Sequence, residues 1–412
     1  MPKRAITDAE VAGRRVLVRV DFNVPLIDGA VGDDTRIRAA LPTIHHLLER
    51  QARVVLLSHL GRPQGTFEPR FSLAPIAVHL SALIGRDVPL IPQVVGAETE
   101  RAVAALAPGE IVLLENVRFE PGEERNDPAL ADQLARLGDL YVNDAFGAAH
   151  RAHASTVGVA ERLPAYAGFL LLREIEVLTR VLESPARPFV AILGGAKVSD
   201  KIKVAGSLLD RVDALLIGGG MANTFLLAAG HEIGASLAER DKLDDARQIV
   251  ARAAALGRTL LLPTDAVVAA SPAASAGVVV AIEAIPGETA ILDIGPATVA
   301  RFGAAIAHAR TVFWNGPMGV FEQPPFAEGT RGVAAAVAAA DAFTVVGGGD
   351  SVAALEEMGM TAAISHISTG GGASLEFVEG KILPGIAVLP DVETRLEAGG
   401  REDRGASERG VE

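Results

Sequence analysis

Lys197, Lys201 and Lys203 fall together in GGAKVSDKIK, in a chain whose positive charge is otherwise carried almost entirely by arginine. An ammonium is a compact point charge on a flexible stem that can follow a moving phosphoryl group; a guanidinium fork is more rigid. The cluster alone reads equally well as a solvated helix start, and the preceding Gly194-Gly195 tips it towards phosphate. Three other apolar runs end in glycine as the lysine segment FVAILGGAK (Phe189 to Lys197) does: ALLIGGGMA (Ala214 to Ala222), FTVVGGGDS (Phe343 to Ser351) and AISHISTGGGAS (Ala363 to Ser374). A β-branched run that breaks into glycine and then starts a helix presents backbone N–H groups to a phosphate. One such tip is weak evidence. Four at successive strand ends point to one nucleotide site, because ligands in open α/β sheets sit at the carboxyl ends of the strands.

The first half uses the same strand pattern with basic tips. RVLVRV ends in Asp21, Phe22 and Asn23, with Arg36 in the following connection. RVVLLS ends in His59, Leu60, Gly61, Arg62 and Pro63; EIVLLEN ends in Val117-Arg118-Phe119; DLYVND runs into AFGAAHRAHAS with His150, Arg151 and His153. Any single arginine here is most simply a surface salt bridge, and any single histidine a satisfied core residue. Repetition at converging strand ends favours one pocket for a small polyanion, since guanidinium forks bind carboxylate and phosphate bidentately. Asp21 and Asn23 add polar groups suited to a hydroxyl-bearing ligand.

The elements that must position these residues are βαβ units with a largely parallel sheet in each half. Helical patterns run over Arg38 to Arg50, Leu73 to Ile84 and Pro128 to Leu137. AGFLLLREIEVLTRVLE (Ala167 to Glu183) has helical periodicity, and Pro185 and Pro188 stop it. It divides the chain into 1–166, a connecting helix over 167–187, and 188–390. In the second half the alternation continues through Thr259 to Leu262, Ile291 to Ile294 and Thr311 to Trp314. Residues 391–412 are polar with no apolar face and read as a disordered tail.

At 412 residues two domains are expected. A hydrophobic content of 49% and mean hydropathy of +0.31 fit well-filled α/β cores. The net charge of −13 argues against nucleic-acid binding. No cysteine is present, which excludes disulfides and thiol chemistry. MPKRAITDAE has no apolar signal core, and no apolar stretch reaches membrane-spanning length, so a cytoplasmic enzyme is expected.

Several acids stay open between two roles. Glu322, after the strand tip Trp314-Asn315-Gly316, could accept ribose hydroxyls or be a helix N-terminal charge. Asp350, after three glycines, could hold Mg²⁺ or cap a helix; Asp293 in LDIGP is similarly ambiguous. There is no GxxxxGK[ST] loop, no GxGxxG with an acid about twenty positions on, no HExxH and no GxSxG elbow.

At this point the segments VRVDFNVP, the TRI around Arg36, SHLGRP, LLENVRF, VNDAFGAAHRAHAST, GGAKVSDKI, GGGMANTFL, LDIGP, WNGPMGVFE, GGGDS and SHISTGGGASLEF closely resemble the phosphoglycerate kinase family, in family order from Val18 to Phe377. The resemblance implies two Rossmann-like domains with a cleft and hinge. It also implies reversible phosphoryl transfer between 1,3-bisphosphoglycerate and MgADP, giving 3-phosphoglycerate and MgATP. It places Asp21, Phe22, Asn23, Arg36, His59, Leu60, Gly61, Arg62, Arg118 and Arg151 at the 3-phosphoglycerate site. Lys197, Lys201, Gly220, Gly295, Asn315, Glu322, Gly347, Gly348, Gly349 and Asp350 fall at the nucleotide site, with Asp350 for Mg²⁺ and Gly371 and Gly372 as donors to the transferring group. Ala148, Ala297 and Arg173 depart from the family pattern, which usually has Thr, Glu and Lys there.

The chain offers no obvious nucleophile for a phospho-enzyme, so direct in-line transfer is expected, with Arg36, Lys197 and the Gly371-Gly372 amides stabilising the transition state. An NAD-dependent dehydrogenase is the rival enzyme, suggested only by the glycine tips and weakened by the missing dinucleotide fingerprint. A non-catalytic anion sensor is the rival binding protein; Arg36, Lys197 and Asp350 together argue against it. A monomer with small-molecule partners, no nucleic acid and no membrane is expected.

Overall fold

The computed structural model describes residues 3–392. Short apolar runs become strands buried on both faces. The first domain holds β1 (Arg15–Val20), β2 (Arg53–Leu57), β3 (Leu90–Ile91), β4 (Ile111–Leu114), β5 (Leu140–Asp144) and β6 (Ala165–Ala167), in the order β3-β4-β2-β1-β5-β6. Every pairing in this sheet is parallel. Helices cover both faces, so alternation of polar and apolar residues is lost; in β1 only Arg15 is not buried. The first connection carries α1 (Thr35–Glu49). α2 (Phe169–Glu183) leaves the sheet and buries Leu171, Glu174, Val177, Leu178 and Val181 on one helical stripe.

The second domain continues with β7 (Phe189–Leu193), β8 (Ala214–Ile217), β9 (Thr259–Leu261), β10 (Asp265–Ala269), β11 (Val278–Ala281), β12 (Ala290–Ile294), β13 (Thr311–Asn315), β14 (Phe343–Gly347) and β15 (His366–Ile367). Its six-stranded sheet, β9-β8-β7-β13-β14-β15, is again parallel throughout. β12, which covers the run expected to continue the βαβ alternation, instead joins an antiparallel sheet, β11-β10-β12. The connection between Ala269 and Val278 is too short for a crossover helix, so the strands reverse. Four helices of this domain begin at the lysine and glycine motifs: α3 (Ile202–Leu209), α4 (Gly219–Ala228), α5 (Gly349–Glu357) and α6 (Gly372–Val378).

The two domains share a hydrophobic core. One cluster runs from Leu17, Val55 and Tyr141 through Leu171, Leu178 and Val181 on α2 to Phe189, Ala191 and Leu215. Separate clusters fill the outer faces of each sheet. The last segment of the chain returns to the first domain: Gly385 N donates to Ala149 O at 2.8 Å and Asn143 Nδ2 to Gly385 O at 2.9 Å. Arg4 N donates to Pro390 O at 2.9 Å, and Lys3 pairs with Asp391 at 2.9 Å. The 188–390 division therefore follows covalent order, while packing puts the end of that segment and Asp391 on the first domain. The rest of the expected tail, from 393, lies outside the described residues.

Candidate active site

The basic tips converge. Asp21, Asn23, Arg36, His59, Gly61, Arg62, Arg118, His150, Arg151 and His153 line one cavity of about 540 Å³, together with Gly370 to Gly372 from the second domain. Each tip is held in place by local bonds. Arg36 Nη1 donates to Asp21 Oδ2 and Asn23 O, both at 3.2 Å. Asn23 Oδ1 accepts from Gly61 N at 2.9 Å. Buried Asn116 bridges two tips, donating to Leu60 O at 2.7 Å and accepting from Arg118 N at 3.0 Å. Arg118 Nη1 donates to Gly61 O at 2.7 Å, and burial draws its pKa below the usual value. Two expected substrate contacts do not line the cavity. Phe22 and Leu60 turn their side chains into the core, leaving only their backbone to shape the tips. Ala148, one of the departures from the family pattern, lines the cavity.

Beneath the cavity lies a polar layer that sequence reasoning missed. Arg19 is 1% exposed. Its Nε donates to Ser155 Oγ at 2.8 Å, and its Nη2 lies 3.1 Å from His59 Nδ1. Glu123, fully buried, accepts from Ser155 N at 2.9 Å and lies 3.7 Å from His153 Nδ1. The signal for Arg19 was a charge inside an otherwise apolar strand, RVLVRV. Desolvation and the surrounding arginines hold His59 well below the usual histidine range and push His153 down to about 3. Both imidazoles are therefore neutral hydrogen-bonding groups among fixed guanidinium charges.

The second domain builds its pocket from backbone. A cavity of about 530 Å³ is lined by Gly195, Gly219, Gly220, Asp293, Gly319, Glu322 and Asp350, with apolar walls from Leu226, Leu237, Ile291 and Met318. At Gly219, φ is +66° and a Cβ would stand 2.6 Å from Gly195 N and 2.7 Å from Pro317 O, so no side chain fits. Lys201 lies beneath these loops. Its Nζ donates to Gly194 O at 2.7 Å and Asn315 O at 3.1 Å, and burial lowers its pKa to about 8 against the pull of Asp350 and Asp200. Asn315 is buried with its Nδ2 unpartnered. Gly295 lies behind the cavity wall, where it caps the next helix and gives room to the Asp265 carboxylate. Asp293 accepts from Gly329 N at 2.6 Å, and burial raises it to about 7. It is a buried brace behind the Gly319 turn. Lys197 is exposed and lines neither cavity.

Between the two cavities runs a cleft of about 370 Å³. It is lined from one side by Asn23, Thr35 and Arg36 and from the other by Gly348, Gly349, Asp350, Thr369 and Gly371. Arg36 and Gly371 belong to both the cleft and the basic cavity; Asp350 belongs to both the cleft and the glycine-lined cavity. Gly347 ends β14 just before these donors. Thr35 Oγ1 donates to Glu356 Oε1 across the cleft at 3.1 Å. Glu174 on α2, also missed from sequence, holds the loop before Gly370. It accepts from Thr369 N at 2.7 Å and Ser368 Oγ at 2.8 Å, and its Oε2 lies 3.0 Å from His366 Nε2. The helix joining the domains thus grips the glycine loop that reaches the basic cavity.

An arginine-lined cavity is thus joined through a cleft to a glycine-lined one. The family model for phosphoglycerate kinase matches residues 6–381. The chain belongs to the phosphoglycerate kinase family. A phosphoglycerate kinase of Moorella thermoacetica is 59% identical over 392 residues, covering 95% of this chain and all of that protein. One of Herpetosiphon aurantiacus is 57% identical over 393 residues, with coverage of 95% and 100%. Among solved structures, the phosphoglycerate kinase from Coxiella burnetii aligns at a TM-score of 0.84 with 46% identity, covering 94% of this chain and 98% of that one. The enzyme from Pyrococcus horikoshii OT3 aligns at the same TM-score with 34% identity, again covering 94% of this chain and 98% of that one. Family membership removes the dehydrogenase reading and makes this chain a kinase of the family. Among the described residues, no helix is long and apolar enough to cross a membrane.

Proposed function

We propose that this chain catalyses reversible transfer of a phosphoryl group between 1,3-bisphosphoglycerate and MgADP, giving 3-phosphoglycerate and MgATP. The observation that carries this reading is the cleft lined at once by Arg36 from the first domain and by Gly371 and Asp350 from the second, with Arg36 and Gly371 shared with the basic cavity and Asp350 with the glycine-lined one. The basic cavity takes the phosphoglycerate. Its arginines neutralise the phosphate and carboxylate, and neutral His59 donates a hydrogen bond. The glycine-lined cavity takes the nucleotide, with its apolar walls against the base, Glu322 towards the ribose and the α4 N-terminus and Lys201 towards the phosphates.

The reacting oxygens then face each other across the cleft. The acyl phosphate's phosphoryl group passes directly to the terminal oxygen of ADP, in line, with no covalent enzyme intermediate. Its charge spreads over the equatorial oxygens in the transition state, where Arg36, Lys197 and the Gly371 and Gly372 amides stabilise it. Arg36 is pre-oriented for this by Asp21 and Asn23. Lys197 lines neither cavity as the domains stand, so the role requires the domains to close and carry it in, which also excludes water. A cation bound with the nucleotide would neutralise phosphate charge. Among the described residues no group of three acids or histidines forms a self-sufficient metal site. Asp350, lining the nucleotide cavity at the start of α5, suits an ion held mainly by phosphates and one carboxylate. The protein acts in this reading as a cytoplasmic monomer.

The test is turnover of 3-phosphoglycerate and MgATP, with the acyl phosphate trapped by hydroxylamine. Time-dependent hydroxamate that requires both substrates supports the reading; ATP consumption without acyl phosphate overturns it.

A further inference from the structure

His59 lies in the floor of the basic cavity with two groups competing for its Nδ1. Arg19 Nη2 is 3.1 Å away, and Asp21 Oδ1 is 3.8 Å away. The two would impose opposite tautomers. A guanidinium only donates, so a bond from Arg19 makes Nδ1 an acceptor and puts the proton on Nε2. A carboxylate only accepts, so a bond to Asp21 would put the proton on Nδ1 and leave Nε2 as a lone pair. The distances favour Arg19, since 3.8 Å is beyond hydrogen-bond range.

Arg19 is itself fixed. Its Nε donates to Ser155 Oγ, its Nη1 to Val20 O, and Ser155 is held by the buried carboxylate of Glu123 through its backbone N–H. Glu123 also supplies the negative charge that a buried guanidinium requires. The fork therefore has no freedom to turn from His59 to another acceptor.

We propose that Arg19 is a positioning residue that acts through His59: it locks the imidazole as an Nε2–H donor aimed at the substrate anion. The consequence is chemical. An Nε2 lone pair in this cavity would repel a phosphate or carboxylate oxygen, whereas Nε2–H adds a directed donor among the guanidinium groups. The groups facing His59 are Arg19, Arg36, Arg118, His153 and Asp21. The three guanidinium groups oppose a second proton on the ring and His153 is itself neutral, so the donor stays neutral and its bond does not switch on and off across the neutral pH range.

This inference rests on the basic cavity being the phosphoglycerate site, but its test separates the two ideas. Imidazole ¹⁵N spectra of the ligand-free protein, with His59→Gln to assign the signal, report the tautomer directly. The expected wild-type signal is Nε2-protonated, and it stays neutral through the neutral range. Arg19→Lys keeps a charge opposite Glu123 but cannot hold Ser155 and His59 together, so the signal should shift towards mixed tautomers. KM for 3-phosphoglycerate should rise about tenfold in Arg19→Lys, the size expected for losing a hydrogen bond to a charged group. KM for MgATP should stay unchanged, and the double variant with His59→Gln should be no worse than His59→Gln alone. An Nδ1-protonated wild type overturns the proposal, as do additive effects of the two substitutions on KM. If Arg19→Lys fails to fold, the wild-type tautomer still decides. If 3-phosphoglycerate is not a substrate, the spectra still judge Arg19 while the substrate reading falls.

Discussion

The two domains offer groups for an anion by opposite means. The first domain uses long side chains: Arg36, Arg62, Arg118 and Arg151 around an open cavity. The second uses backbone, with glycines at the tips of β7, β8 and β14 and a single buried ammonium beneath them. Each choice has a structural consequence. Guanidinium groups crowded together need a counter-charge and fixed acceptors, which Asp21, Glu123, the tip carbonyls and Glu124, 3.3 Å from Arg118 Nε, provide. Backbone donors need no counter-charge, but they need absent side chains, and Gly219 shows how little room is left. The difference suits the proposed ligands. A small, highly charged acid is matched by several directed guanidinium groups, while a nucleotide needs an apolar wall and a close, rigid phosphate cradle.

Four substitutions probe this contrast. The largest effect is expected for Arg36→Ala. Loss of one pre-oriented donor to the transferring group should lower kcat about 10²–10³-fold. Circular dichroism should be unchanged, since Arg36 faces the cavity. Retention of most of kcat would take Arg36 out of the transition state and leave it as an ordinary anion contact.

Lys197→Arg asks whether the second domain also depends on one mobile charge. The planar fork cannot follow the transferring group as an ammonium does. We expect kcat to fall about tenfold or more with the MgADP dissociation constant nearly unchanged, as for an interaction made mainly in the transition state. A fall in nucleotide affinity alone would make Lys197 a ground-state anchor.

Gly219→Ala tests the backbone side directly. The positive φ costs a residue with a Cβ roughly 1–2 kcal/mol, before the contacts with Gly195 and Pro317 are counted. A lower Tm and weaker MgADP binding by calorimetry should appear together, with 3-phosphoglycerate binding intact. Loss of both ligands equally would mean that the domains are not independent binders.

The smallest effect concerns pH. Each domain holds one buried aspartate raised to about 7 by desolvation, Asp144 at the end of β5 and Asp293 at the end of β12. The folded chain keeps on each a proton that the unfolded chain releases near 3.8. The stability this provides is complete below about pH 4 and lost as the pH rises through about 7. Asp144→Asn should therefore flatten the Tm–pH curve between those values relative to wild type, leaving the share that Asp293 contributes. An unchanged difference between the curves across that window would show that Asp144 is ionised in the folded protein. Its Oδ1 accepts from Leu171 N at the start of α2, so the same curves report on the joint between the domains.

Much is legible in the amino-acid sequence itself. Strand tips, the connecting helix and the contrast between a half with basic tips and a half with glycine tips follow from period, composition and residue type. A parallel strand exposes its end to ligand whatever its partners are, so Asp21, Arg36, Arg62, Arg118 and Asp350 could be named from the chain alone. The tertiary structure decided what depends on contacts distant in sequence. Asn116 bridges tips that the chain separates, and Glu174 on α2 reaches a loop that lies 195 positions away at Thr369. Phe22 and Leu60 lie within site motifs just past the ends of β1 and β2, yet their side chains pack into the core. The β10 to β12 region became antiparallel because its connections are short. Arg19 and Glu123 carried charge in apolar or loop sequence, and nothing local shows that they meet through Ser155. Periodicity fixes which side of an element a residue occupies; only packing fixes which partner waits there.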